Sequence, residues 1–171
     1  MNNAELNDLV AFQNWARERA LPALEPLTPE EWLRPLGGSF AHLYATVLHI
    51  LGAQQIWTER LRGGGNPGFP VVPEVPDFPA LRQRWRAAGQ ALEAWLAAQP
   101  AGAAQQRIRY TRQGQTVETP VQAAMLQLSH HHAYHLGQVA HMLRQLGHVP
   151  ADTGYIAYQR QLGDARERPA S

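Results

Sequence analysis

At 171 residues the chain has the size of one domain, long enough to bury a stable core without covalent staples. It has no Cys, which excludes disulfides, thiolate metal ligands and a cysteine nucleophile; a metal would have to be held by His, carboxylate or water. Its 15 basic residues are all Arg and meet 14 acidic ones, a net charge of +1 with both signs interspersed, so no basic stripe suggests nucleic-acid binding.

The opening "MNNAELNDLV" has neither the positive n-region nor the apolar h-region of a signal peptide. Leu6, Leu9, Val10, Phe12, Ala16 and Ala20 include helical spacings and predict a first helix over 4–24, with Pro22 near its end. In "LTPEEW", Thr28 is placed as an N-cap and Pro29 at the first helical position, which predicts one short turn. Gly37 and Gly38 break it, and Ser39 is read as the cap of a second long helix reaching 61. The run 39–58 is uncharged and long enough to span a bilayer, yet it carries His42, His49, Gln54 and Gln55, each costly in lipid. A buried helix in a soluble bundle is the better reading, and the expectation is a cytoplasmic protein with no membrane contact.

"RGGGNPGFPVVPEVPDFP" reads as a surface loop, because its five prolines remove ladder donors. A third helix is predicted over 77–99, with Leu81, Trp85, Ala88 and Leu92 in its stripe and Pro100 stopping it. "RIRYTRQGQTVET" alternates about Gln113-Gly114 and reads as a small β-hairpin, with an extended loop as the alternative. Thr119 and Pro120 then open a fourth long helix, which ends at a Gly147 cap. Tyr155, Ile156 and Tyr158 are expected to pack back on the bundle, and 164–171 to be a disordered tail. The expected fold is all-α: a single four-helix-bundle domain over 1–163, with long crossover connections.

Four of the eight histidines fall in "LSHHHAYHLGQ". His131 and His135, four apart, share a helix face and can hold one metal ion; His132 and His135, three apart, form a second possible pair. The inward stripe 121, 125, 128, 135, 139, 142 and 146 contains His135, with His131 and His132 flanking it, so spacing does not choose between them. His49 lies in the middle of the uncharged second helix. A buried polar group without a partner costs about 1–3 kcal/mol, and a metal shared with a facing helix would supply one. His42, two turns earlier, could join the site or lie near its edge, but is expected to bond a backbone carbonyl instead; His130 points elsewhere, and His141 and His148 are surface or capping residues. No acid precedes Glu59 on the second helix or lies between Glu118 and Asp152 on the fourth, which argues against a carboxylate-bridged di-metal centre.

Taken together, "FQNWARERAL", "GGSFAHLYATVLHILGAQQIWTERL" and "HHAYHLGQVAHMLRQLGHVPADTGYIAY" resemble the DinB/YfiT-like superfamily over most of the chain. The resemblance implies a four-helix bundle, often a homodimer. It also implies a divalent metal held by one His of the second helix and an H-x-x-x-H of the last long helix. Matched by position, these are His49, His131 and His135, so the resemblance selects His131 over His132. Leu136 stands where the family usually has Arg, and His130 where Asn is common. Zn or Ni is expected first, with Fe, Mn or Co as alternatives.

Three neutral imidazoles leave a coordination position open, the pattern of a catalytic metal rather than a closed structural one. The resemblance further implies an enzyme that transfers a low-molecular-weight, bacillithiol-like thiol to a small electrophile in detoxification or stress response. The alternatives are a metal-dependent hydrolase and a non-catalytic, metal-stabilised dimeric binding protein. Gln138 and Tyr134 are candidate hydrogen-bonding groups around the ligands; the sequence identifies no catalytic or thiol-binding residue.

Overall fold

A computed structural model of the chain describes residues 1–71, 75 and 77–167. Its helices are α1 (Asn3–Leu24), the short α2 (Pro29–Leu33), α3 (Leu43–Leu61), α4 (Phe78–Ala97), α5 (Val121–Gln145) and α6 (Tyr155–Glu167). An antiparallel hairpin, β1 (Arg107–Arg112) and β2 (Gln115–Pro120), precedes α5. Its two turn residues, Gln113 and Gly114, both have positive φ, as a tight two-residue hairpin turn requires.

The helix starts follow from side chains that satisfy the first free N–H groups. Asn2 with Glu5, and Thr28 with Glu31, form reciprocal capping boxes. Asp77 accepts from the Ala80 N–H at the start of α4. Two expected starts are displaced. The second long helix begins at Leu43, and its cap is His42, whose Nδ1 accepts from the Ala45 N–H at 3.1 Å. His42, expected to bond a backbone carbonyl, thus meets a backbone N–H instead: an imidazole lone pair can cap a helix, and the positive-φ pair Gly37 and Gly38 holds the chain in non-helical turns just upstream. Similarly, Pro120 rather than Thr119 occupies the N-cap position of α5, and the Thr119 hydroxyl instead meets Tyr110 Oη across the hairpin. The α5 end is as read: Gly147 sits at φ 86°, and the next N–H, of His148, returns to the Leu143 carbonyl.

The long helices pair α1 with α4 and α5, and α3 with α4 and α5. The links from α1 to α3 and from α4 to α5 thus cross the bundle, whereas the proline-rich 62–77 segment joins neighbours. Within that segment residues 62–71 form no strand; 72–74 and 76 lie outside the described residues. No helix among the described residues is long and apolar enough to cross a membrane.

The core divides into two apolar clusters along the bundle axis. One is built around Leu43, Leu51, Leu81, Trp85 and Leu143, the other around Leu6, Leu92, Met125 and Leu128. The positions between them on three helices are polar and buried: Gln13 on α1, Gln54 on α3, Ser129 and His132 on α5. The hydroxyls of Tyr155 and Tyr158 and the amide of Gln159 all donate to the Asp8 carboxylate, which docks α6 on α1. Ile156 faces solvent instead. Residues 164–167, within the stretch expected to be disordered, belong to α6, and 168–171 lie outside the described residues.

Candidate metal centre

Helices α3 and α5 pack side by side, and this brings His49 to the H-x-x-x-H face of α5. Ring nitrogens of His49, His131 and His135, one from each, lie within 4.8 Å of one another. His49 Nε2 and His131 Nε2 are 2.9 Å apart, so one shares its proton with the other. The three rings meet at centroid distances of 4.4–4.8 Å.

His135 is oriented from outside the cluster. Its Nδ1 lies 2.7 Å from Gln138 Oε1, one turn on along α5. An amide oxygen only accepts, so Nδ1 carries the proton and Nε2 keeps its lone pair for the cluster. The Gln138 amide is fixed in turn by donating to Ser39 Oγ at 3.0 Å. Ser39, expected to cap the helix, thus acts at one remove from the imidazoles.

Burial, and then the neighbouring imidazoles, disfavour the charged forms of His49 and His131. Partial burial lowers the His49 pKa, aided by His135; burial pulls His131 down to about 4, aided by His135 and His49. Neutral imidazoles are the ligating form, and a donor set of three imidazole nitrogens suits a divalent first-row metal. His49, His131 and His135 could hold one.

His132 lies on the other side of α5, 2% exposed, with its ring 5.9 Å from Trp85 and no partner at either nitrogen among the described residues. It is not part of the cluster. His130 and His141 are exposed, and His148 Nε2 pairs with Glu31 Oε1 at 3.0 Å. Leu136 is buried in the core. Tyr134, a candidate hydrogen-bonding group, is mostly exposed and touches His135 only ring edge to face.

Two aromatic walls were not foreseen from sequence. Phe40 packs 4.5 Å from the His49 ring and 5.6 Å from His135, and Phe69 stacks on His49 at 5.0 Å with 16° between planes. Phe69 reaches this place because Gly52, three residues after His49 on α3, has no side chain: a Cβ there would collide with Phe69 and Pro70. Beside His49 these walls border an open cavity of about 690 Å³, lined also by His42, Leu48, Pro70 and Val71. The sequence signals were faint, an aromatic after a Gly-Gly-Ser entry and another inside a proline-rich loop; only the fold puts both against one imidazole.

The family model described as "DinB family" matches residues 1–167. No curated protein is significantly similar to the chain. Among solved structures, a DinB-like protein from Bacillus cereus ATCC 10987 superposes with a TM-score of 0.64 at 16% sequence identity, covering 81% of this chain and 90% of that one. At that identity the likeness speaks for the fold, and the fold agrees with the sequence match. A six-helix, hairpin-bearing bundle matched along nearly its whole length by one family model leaves a single assignment: the chain belongs to the DinB family.

Proposed function

We propose that the protein binds one divalent metal ion through His49, His131 and His135 and is a metal-dependent enzyme that transfers a low-molecular-weight thiol to a small electrophile. The observation that carries the metal reading is the convergence of three imidazole nitrogens from two helices, with His135 oriented by the Gln138–Ser39 chain. Bound there, a divalent metal supplies Lewis acidity, lowering the pKa of a thiol or a water at the open position. The chain's own residues do the rest. Gln138 fixes which nitrogen of His135 is free. Phe40 covers part of His49 and His135, and Phe69 one face of His49, which lowers the local polarity and strengthens electrostatic interactions there.

Thiol transfer is favoured over hydrolysis by the surroundings. The described residues lining the cavity beside His49 include no carboxylate that could act as a general base for water. A thiol ionises far more readily than water and needs no such base. With no Cys in the chain, the sulfur must come from a diffusible thiol. We infer Zn or Ni as the first metals to test, and a homodimer as the working assembly.

Elemental analysis of untagged protein, purified without added metal or chelator, tests the ligand set. The expected result is about one ion per chain in the wild type and its loss in His49→Ala and His131→Ala. Full occupancy in either variant refutes that ligand. With metal content established, thiol-dependent consumption of electrophiles separates transfer from thiol-independent hydrolysis. A metal-dependent melting temperature without turnover in either assay points to a non-catalytic binding protein.

A further inference from the structure

The cavity next to the imidazole cluster has walls of one chemical kind. Phe40, Ala45, Leu48, Phe69, Pro70 and Val71 contribute rings, methyl groups and methylenes, and no Asp, Glu or Arg lines it among the described residues. Phe69 and Val71 are 49% and 53% exposed, so large apolar side chains stand open to solvent at a cavity whose lining includes His49, one of the three clustered imidazoles. Exposed apolar surface joined to convergent polar groups is the usual make-up of a small-molecule pocket, and about 690 Å³ is within the usual range for one.

Besides His49, the described residues lining the cavity include one polar side chain, His42. Its Nδ1 is used up by the Ala45 N–H, so in the neutral ring the proton sits on Nε2, which has no partner among the described residues. His42 precedes His49 by seven residues, about 10 Å along the helix. Glu59, Arg62 and Arg84 line a different cavity, which shares Phe69 and Pro70 with this one.

We propose that this cavity is the binding site for the body of the electrophile, and that it selects a neutral aryl or alkyl group resting against Phe40 and Phe69, excluding a charged or sugar-like body. The inference rests on the metal-centre reading only for the position of the reacting head; the apolar preference is a property of the walls. It assigns Phe40 and Phe69 as specificity-determining residues and leaves the polar body of the thiol outside this cavity.

The test uses fluorine NMR of two small probes with metal-free and zinc-loaded full-length protein. 4-Fluorotoluene has an apolar body and no metal-binding head; 4-fluorobenzyl mercaptan has both. Fluorotoluene is expected to bind metal-free and loaded protein alike. Phe69→Ala and Phe40→Ala should weaken it about tenfold or more, while melting temperature and zinc content confirm that each variant is folded. Phe69→Leu should restore most of the affinity. The mercaptan should bind more tightly than fluorotoluene only in the loaded form. If the mercaptan gains nothing from zinc while fluorotoluene behaves as expected, the cavity assignment stands and the metal-centre reading fails. If fluorotoluene does not bind the wild type, because a second copy or the loop covers the walls, the proposal is overturned. Binding to both alanine variants as tightly as to the wild type overturns it equally.

Discussion

His132 offers a sharp test of how the histidines divide between site and core. It is 2% exposed, lies against Trp85, and neither ring nitrogen has a partner among the described residues. Replacing it by Leu, of similar volume, removes an unsatisfied buried polar group and keeps the packing. We expect His132→Leu to stabilise the metal-free protein at pH 8 by about 1–3 kcal/mol. For a chain of this size that is about 2–4 °C in Tm per kcal/mol.

The effect grows in acid. Burial, and after it the Arg17 guanidinium and the neighbouring imidazoles, hold the folded-state pKa of His132 at about 3. The unfolded chain titrates near 6.5, so between these values the unfolded state binds the extra proton and stability falls as pH falls. Each pH unit in that window costs the wild type about 1.4 kcal/mol, hence about 3 kcal/mol more at pH 4.5 than at pH 8. The Leu variant escapes this loss, while His131 titrates in both proteins and cancels. Urea unfolding of both proteins at pH 8 and pH 4.5, without metal, measures the gap. A gap that does not widen in acid refutes the burial argument. Loss of metal from the Leu variant would move the ligand from His131 to His132.

Other outcomes follow from single contacts. Gln138→Ala frees His135 to change tautomer and should weaken metal affinity 10–100-fold without unfolding the bundle, read by competition with a chromophoric chelator. His42→Ala removes the α3 cap and should cost about 1 kcal/mol in denaturant unfolding, with metal affinity unchanged. Asp8→Ala deletes the acceptor shared by Tyr155, Tyr158 and Gln159; α6 should lose amide-exchange protection while α1, α3, α4 and α5 keep theirs.

The long helices were legible in the sequence because their signals are local. Apolar spacing, Pro at first positions, Asp77 and Gly147 act within a few residues of one another, and the structure has helices where they point. Helix starts decided by longer contacts were not legible. Ser39 looks like a cap, but the cap is His42, and Ser39 is held by Gln138, 99 residues away. Of the site, the H-x-x-x-H spacing placed His131 and His135 on one face, and the lone polar position in an uncharged helix singled out His49. Local pattern could not choose between His131 and His132, which flank the same stripe. Only the packing of α5 decides it, turning His131 toward α3 and His132 toward Trp85 of α4. The aromatic walls depend on tertiary structure alone. Phe40 and Phe69 lie 29 positions apart in chain, and Gly52 must be bare for the second to close on His49. Side-chain periodicity fixes which face of a helix is apolar; which residues of different segments share a site depends on how those faces dock.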